Sequence, residues 1–284
     1  MKTIIIICIL TVSVLGTVTA QWVQCPIPNG LGVVRAFTSL STAVFAATDG
    51  GGVVRSTDNG MTWMLVNNGI TTQFIQSIVT NGTILFAGSL SGEIFRSTNS
   101  GESWVKSQMT NQSIIVLTAR DTGLFAGTLG GGVFRSMDSG VTWTVVNSGL
   151  TKQIVYSLAV SGSILFAGTN GGVFRSSDNG ETWTAANNGV TNQFILSLNV
   201  RGADVFAGTD GNGVFRTTNN GDTWLQTNLT ASTIYELAQS GASLFAGTNS
   251  AGVYFTSNNG TSWTAVNTGL TSLDVRSLSV LGTT

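Results

Sequence analysis

Short apolar runs recur along the whole chain, separated by glycine, asparagine and serine. In one representative stretch the runs are Val155 to Val160, Ile164 to Thr169, Gly172 to Ser176 and Thr182 to Ala186. They are rich in β-branched and aromatic residues, which is typical of short β-strands between tight turns. The pattern predicts an all-β fold in which four strands make up one unit.

The unit is repeated along the chain. Its end is marked by a box that reads Ser-Thr-Asp-Asn-Gly from Ser56 and closes at Trp63, and the copies follow at intervals of 39 to 41 residues. Four strands in a repeat of this length predict a blade of a β-propeller. A parallel β-helix, which has shorter repeats, is the alternative. The boxes are residues 56–63, 97–104, 136–143, 176–183, 217–224 and, slightly altered, 257–263.

Each box contains an Asp or Asn, a Gly and a Trp, and we predict structural roles for all three. The Asp or Asn side chain can accept backbone N–H groups of a tight turn, Gly can adopt a positive φ, and the Trp ring can pack over the blade. These structural residues are Asp58, Gly60, Trp63, Asn99, Gly101, Trp104, Asp138, Gly140, Trp143, Asp178, Gly180, Trp183, Asn219, Gly221, Trp224, Asn258, Gly260 and Trp263.

The box S/T-x-D/N-x-G-x-T/S-W resembles the Asp box, or BNR repeat, of sialidases, sortilin-type receptors, certain glycoside hydrolases and photosystem II assembly factors. The string from Leu165 to Ser176 resembles the YVTN/BNR-like, WD40-type propellers of exported bacterial proteins. The resemblance covers nearly the whole chain after residue 20 and implies a propeller. Since the same repeat serves catalytic, receptor and assembly proteins, it implies no single activity.

The two ends of the chain resemble parts of one further unit. The segment around Trp22 is similar to a fourth strand, and Val275 to Val280 is similar to a first strand. We therefore predict six full blades plus parts of a seventh, completed by the N-terminal strand, with the sequence incomplete at its C-terminus. A closed ring of six blades is the alternative.

Residues Met1 to Ala20 have the features of a signal peptide. Lys2 is followed by an apolar stretch, and Val18-Thr19-Ala20 is a small-residue cleavage site. We expect residues 1–20 to be removed and residues 21–284 to be a secreted, periplasmic or cell-surface propeller without a transmembrane segment. Cys25 would then lack a partner for an internal disulfide, and we interpret it as a small buried side chain.

Composition excludes several functions. Charged residues make up 9% of the chain and the formal net charge is −1, so there is no basic surface for nucleic acid. The chain has no histidine, which removes the commonest base for a Ser or Cys nucleophile and a common zinc ligand. Three of the six boxes have Asn in place of Asp, which lowers the negative charge that calcium prefers. We expect no metal and no cofactor.

The resemblance to sialidases implies an arginine triad, a Tyr–Glu pair and an acidic proton donor, and the sequence does not supply them in a matching arrangement. The arginines that precede the box occupy the same place in five copies, which favours a structural role, and the sixth copy has Phe255 there. They are Arg55, Arg96, Arg135, Arg175 and Arg216.

A glycoside hydrolase would need two carboxyl groups about 5 to 10 Å apart. Asp49 and Asp210 occupy matching turns, and Glu236 lies on a first strand near the expected propeller axis. A sialidase-like or polysaccharide-cleaving hydrolase that uses such a pair is therefore the alternative function.

The connectors from the fourth strand of one blade to the first strand of the next are the predicted ligand-binding segments. They combine amides with two aromatic rings, which suits a sugar or an extended peptide. We predict no catalytic residue, and a secreted or cell-envelope propeller that binds a protein or glycan through this face. The candidate residues are Gln73, Phe74, Gln112, Lys152, Gln153, Gln193 and Phe194.

Overall fold

The computed structural model describes residues 6–12, 18–24, 30–107, 111–230 and 232–280. In these residues there are 26 strands and no helix, and the strands form six four-stranded sheets and one two-stranded sheet. All strand pairs in the six larger sheets are antiparallel. The predicted all-β propeller of four-stranded blades is confirmed.

The six blades follow one another along the chain, and within each the strands pair in sequence order. The two-stranded sheet consists of β1 (Ile6–Val12) and β2 (Val18–Gln24). The blades consist of β3 (Gly32–Leu40), β4 (Ala43–Gly50), β5 (Gly52–Ser56) and β6 (Met64–Leu65); β7 (Ile75–Asn81), β8 (Ile84–Ser89), β9 (Ile94–Ser97) and β10 (Val105–Lys106); β11 (Ile114–Arg120), β12 (Gly123–Thr128), β13 (Val133–Ser136) and β14 (Thr144–Val145); β15 (Val155–Ser161), β16 (Ile164–Thr169), β17 (Gly172–Ser176) and β18 (Thr184–Ala185); β19 (Ile195–Arg201), β20 (Asp204–Thr209), β21 (Val214–Thr217) and β22 (Leu225–Gln226); β23 (Ile234–Ser240), β24 (Ser243–Thr248), β25 (Val253–Thr256) and β26 (Thr264–Ala265).

Antiparallel order gives the propeller two distinct faces. The connectors between blades and the turns between second and third strands lie at one end of every blade, which we call the connector face. The box turns and the hairpins between first and second strands lie at the other end, which we call the box face. The fourth strands are short and exposed at the outer edge, as Val105 and Leu225 show.

The second strand of each blade forms the core. Leu85, Phe86 and Ala87 in β8 are fully buried because neighbouring blades cover both faces of the sheet. The glycine that ends this apolar run permits the close approach of the next blade: a Cβ on Gly208 would lie 2.7 Å from Cγ2 of Ile234. The repeated Leu-Phe-Ala-Gly string is therefore explained by blade-to-blade packing.

The first strands of successive blades, from β3 to β23, pack side by side around the axis, and no comparable contact joins β23 to β3. Parts of both chain ends lie in the position that follows the sixth blade. Val275 is buried against Gly247, as Ile234 is against Gly208. The main-chain N–H of Trp22 donates to the carbonyl of Thr268. These contacts match the predicted parts of a seventh blade.

The chain ends differ from the prediction in one respect. Residues 275–280 are not assigned to a strand, because no segment among the described residues pairs with them. β1 and β2 span the expected cleavage site at Ala20, and that site remains a prediction. Cys25 lies outside the described residues.

Candidate functional site

The box turn is closed by side chains. Ser56 Oγ accepts from the N–H of Gly60 at 2.7 Å and donates to Oδ1 of Asp58 at 2.7 Å. Oδ1 of Asp58 also accepts from the N–H of Thr62 at 2.9 Å, while its Oδ2 accepts from the Thr62 hydroxyl at 2.6 Å. Gly60 has φ +86°, and Asn59 before it is also left-handed with φ 58°. The turn has the predicted geometry, and Asn59 is a second positive-φ position that the sequence analysis missed.

The asparagine boxes retain this geometry with one hydrogen bond reversed. Oδ1 of Asn99 accepts from the N–H of Ser103 at 3.0 Å, and its Nδ2 donates to the Ser103 hydroxyl at 2.9 Å. The sixth box begins at Thr256, whose hydroxyl donates to Oδ1 of Asn258 at 2.9 Å. The predicted start at Ser257 was therefore one residue late, and this box is not altered.

Hydrogen bonds also fix the charge of the box aspartates. The Thr62 hydroxyl is the largest cause that lowers the pKa of Asp58 to about 2, and Thr182 does the same for Asp178, whose pKa is also about 2. The pKa of Asp138 lies well below its usual range for the same reason. These aspartates remain ionised at neutral pH, so they act as turn acceptors and not as proton donors.

Five of the six box tryptophans bond to the preceding blade, whereas the indole of Trp63 donates to the carbonyl of Gly60 in its own box at 3.1 Å. Nε1 of Trp104 donates to the carbonyl of Val66 at 2.7 Å, and its main-chain N–H donates to the carbonyl of Asn68 at 2.8 Å. Trp183 donates to Val146 in the same way at 2.8 Å. The sequence predicts that the ring packs over the blade, and the structure adds that the indole links two blades.

Arg216 pairs with Asp204 of its own blade at 2.8 Å. Three of the other repeated arginines bond in the opposite direction from the tryptophans, to the following blade. Their Nη1 atoms donate to main-chain carbonyls in the next box turn, which supports the structural role that their repetition predicts. The pairs are Arg55 with Ser100 at 3.0 Å, Arg135 with Asn179 at 3.0 Å and Arg175 with Asn220 at 2.6 Å.

Main-chain hydrogen bonds hold the connector face in place. The carbonyl of Gln73 accepts from the N–H groups of Gly50 and Gly52, each at 2.9 Å. The carbonyl of Gln153 accepts in the same way from Gly130 and Gly132 at 3.1 and 2.9 Å. The carbonyl of Gln193 accepts from Gly172 at 2.6 Å. These three connectors are thereby fixed to the second turn of the preceding blade, and their side chains project from a stable frame.

The structure brings the seven predicted ligand residues to this one face. Gln73, Gln153 and Gln193 have exposed side chains. Phe74 and Phe194 are 52% and 48% exposed. The remaining two residues, Gln112 and Lys152, pack in part against glycines. Gln112 lies over Gly131, where an added Cβ would be 2.6 Å from its Cγ, and the alkyl chain of Lys152 lies over Gly171.

The connector face also carries exposed residues that the sequence analysis missed. Leu90, Leu129 and Leu273 are 37%, 47% and 45% exposed. Leu90 and Leu129 follow the second strand, where other blades have Asp or Asn. Comparing the copies at that position would have identified them.

The first strands of the second, fourth and fifth blades carry a serine that joins neighbouring blades. Ser77, Ser157 and Ser197 accept at 2.9 Å from main-chain N–H groups in the following first strand. The sixth blade has Glu236 at this position, in register with Gly247 near the connector face. Burial raises the pKa of Glu236 to about 8, and the main-chain N–H of Leu237 opposes that shift. Glu236 is therefore protonated at neutral pH.

The other carboxylates named in the hydrolase alternative have partners. Asp49 forms an ion pair with Arg35 at 2.5 Å. Oδ1 of Asp210 accepts from the hydroxyl of Thr233 at 2.8 Å. The connector face thus combines one neutral carboxyl group near the axis with carboxylates in the turns around it.

The described part of the chain contains no group of three or more Asp, Glu, Cys or His that could hold a metal ion. The same residues include no helix long and apolar enough to cross a membrane. A cavity of about 260 Å³ lies at the box face of the fourth blade and is lined by Ile164, Arg175, Ser177, Thr182 and Thr184.

The chain is similar to several solved propellers. It is 15% identical to YCF48 from Cyanidioschyzon merolae with a TM-score of 0.68, over 86% of this chain and 88% of that one. A YCF48 has also been solved bound to D1 peptide. No family model and no curated protein matches the chain.

Two other similar structures belong to longer proteins. The extracellular domain of the hybrid two-component system BT4673 from B. thetaiotaomicron is 19% identical with a TM-score of 0.72, over 84% of this chain and 34% of that one. The GH74 xyloglucanase from Xanthomonas campestris is 14% identical with a TM-score of 0.66, over 83% and 45%. This chain therefore spans less than half of either protein. At these identities the likeness shows the β-propeller fold alone.

Proposed function

We propose that this protein is a non-catalytic, secreted or cell-envelope propeller that binds a protein or glycan through its connector face. The observation that carries the proposal is the pair Phe74 and Phe194, which are 52% and 48% exposed on connectors fixed by main-chain hydrogen bonds. Large rings held on a rigid frame lose little conformational freedom when a ligand binds.

The solved propellers support this proposal by analogy. YCF48 has been solved bound to D1 peptide, so a protein of this fold binds a peptide. BT4673 contributes an extracellular domain, which agrees with the export that we propose for this chain through the segment Met1 to Ala20.

The test uses the purified protein and a panel of immobilised peptides and polysaccharides. We expect retention by at least one class, without release of sugar, and loss of retention in the double variant F74S/F194S. The matched control is V105S/L225S, which removes two side chains that are 69% and 76% exposed on the outer edge. Retention that is unchanged in F74S/F194S, or absent with every probe, would refute the proposal.

A glycoside hydrolase is the second candidate, because one observation favours it. A general acid needs a raised pKa, and burial raises that of Glu236 to about 8. Release of reducing sugar from xyloglucan or a sialylated glycan that is abolished in E236Q would establish the hydrolase and exclude the non-catalytic proposal. No release by the wild-type protein would exclude hydrolysis of these glycans.

A further inference from the structure

One position on the connector face departs from the repeat in two neighbouring blades. It follows the Thr or Ser that comes directly after the Leu-Phe-Ala-Gly run. The hydroxyl of that Thr or Ser closes the second turn in all six blades. The six residues at this position, in chain order, are Asp49, Leu90, Leu129, Asn170, Asp210 and Asn249. Because Asp and Asn suit the turn in four blades, its geometry does not require leucine.

The two leucines are adjacent to apolar connector residues. The N–H of Leu90 donates to the carbonyl of Phe74 at 3.0 Å, and the hydroxyl of Ser113 donates to the carbonyl of Leu90 at 2.6 Å. The N–H of Leu129 donates to the carbonyl of Ser113 at 3.0 Å, and Leu129 forms a β-bridge with Ile154. We call Phe74, Leu90, Leu129 and Ile154 the apolar crescent, which spans three blades.

The polarity of the crescent favours apolar side chains as its ligand. The carbonyl of Phe74 and the N–H groups of Leu90 and Leu129 already have main-chain partners, which leaves few donors and acceptors in the crescent for sugar hydroxyls. Three of the four side chains are branched and aliphatic and provide no flat ring on which a sugar could stack. Apolar side chains of a polypeptide would instead bury Leu90 and Leu129, which are 37% and 47% exposed.

The charged groups of the connector face are the exposed Lys152, two residues from Ile154, and carboxylates in the turns of other blades. Asp49, at one end, is paired with Arg35 at 2.5 Å, and Asp274 is paired with Arg276 at 3.0 Å. Asp210, further along the same face, is exposed and accepts a hydrogen bond from the neutral hydroxyl of Thr233. Its negative charge would therefore attract a Lys or Arg of a ligand.

We propose that the apolar crescent binds an extended polypeptide segment with apolar side chains, and that Asp210 receives a basic residue of that segment. This inference rests on the proposed function and narrows its ligand from protein or glycan to a peptide. It also assigns the contact to blades two to four, with the acidic end of the site on blade five.

The test begins with a phage-displayed library of random 12-residue peptides selected on the purified protein. The enriched peptides are synthesised, and their affinities are measured for the wild type and variants by fluorescence polarisation. The key variant is L90N/L129N, which introduces the residue that blades four and six have at the same position, so the fold should be retained. The matched control is L225N, on the outer edge.

We expect the enriched peptides to combine apolar residues with Lys or Arg, and to bind L90N/L129N at least about tenfold more weakly than the wild type. L225N should bind like the wild type. D210N should weaken binding about threefold at low salt, and only for peptides that contain the basic residue.

If the enriched peptides bind L90N/L129N and the wild type with equal affinity, the proposal that the crescent binds the peptide is wrong. If that binding is nevertheless lost in F194S, which lies outside the crescent, the proposed function stands at another part of the connector face. Retention of a polysaccharide but of no peptide would overturn the peptide assignment and leave the proposed function intact. The absence of binding to every peptide and polysaccharide would overturn both.

Discussion

The indole N–H of Trp22 donates a hydrogen bond to the main-chain carbonyl of Val266, 244 residues further along the chain. Trp104 makes the same bond to Val66 in the preceding blade. Trp22 therefore occupies the place of a box tryptophan in the position that follows the sixth blade, without belonging to a complete box. It ties the N-terminal segment to the last blade.

Replacing Trp22 should destabilise the whole ring. Trp22 is 4% exposed, so W22A should lower the free energy of unfolding by about 3–5 kcal/mol, through lost burial and an unpaired carbonyl on Val266. W22F keeps most of the ring and should lower it by about half as much. Urea denaturation followed by circular dichroism measures both. Equal stability of W22A and the wild type would show that the N-terminal segment does not close the ring.

The first residue of the box should be replaceable by threonine but not by alanine. Ser56 is 1% exposed and its Oγ accepts from the N–H of Gly60, so S56A should lower the free energy of unfolding by about 1–3 kcal/mol. S56T should stay close to the wild type, since Thr217 makes the same bonds in the fifth box. Denaturation curves of the two variants provide the comparison, and equal losses would mean that the hydroxyl is not what holds the turn.

The stability of the protein should depend on pH through Glu236. Its pKa rises from 4.5 in the unfolded chain to about 8 in the fold, so the folded state binds one proton more between these values. The free energy of unfolding should therefore fall as pH increases through this range, by up to a few kcal/mol.

E236Q cannot ionise, so it should lack this dependence and gain stability relative to the wild type as pH increases. Denaturation midpoints of both proteins at about pH 5 and pH 9 test this expectation. If the difference in midpoint between the wild type and E236Q is the same at both pH values, Glu236 is ionised in the fold at neutral pH.

The glycine after the Leu-Phe-Ala sequence should not accept a methyl group. A Cβ on Gly208 would lie 2.7 Å from Cγ2 of Ile234 in the next blade, so G208A should lower the free energy of unfolding by about 1–3 kcal/mol. The first blade has Ala47 at this position. The matched control is A47G, which removes a methyl group there instead of adding one. Unfolding midpoints decide the matter, and a G208A protein as stable as the wild type would show that the blades are less tightly packed.

Much of the fold could be predicted from sequence because many of the repeated residues form a turn or a strand with residues close to them in the chain. Asp58 and Gly60 form the turn with residues a few positions away, and the regular spacing of the boxes gives the four-stranded blade. The contacts between blades were harder to predict. Neither the bond from Trp104 to Val66 nor that from Arg175 to Asn220 follows from spacing, since each depends on how two blades pack.

The position of the candidate site could be predicted from the sequence, but its exposed leucines and the raised pKa of Glu236 could not. The connector residues Phe74 and Phe194 were identified because aromatic rings stand out in polar segments. Leu90 and Leu129 were missed because a leucine next to an apolar strand is expected in the core. Only the structure shows that both are exposed at the surface. The raised pKa of Glu236 likewise depends on burial by neighbouring strands.

Hydrogen–deuterium exchange with mass spectrometry, with and without a bound peptide from the displayed library or a retained polysaccharide, tests the connector face most directly. We predict that the ligand slows exchange in residues 72–74, 111–113, 152–154 and 192–194 and leaves the box turns unchanged. Slower exchange confined to the box face or the outer strands would contradict the proposal that this protein binds its ligand through the connector face.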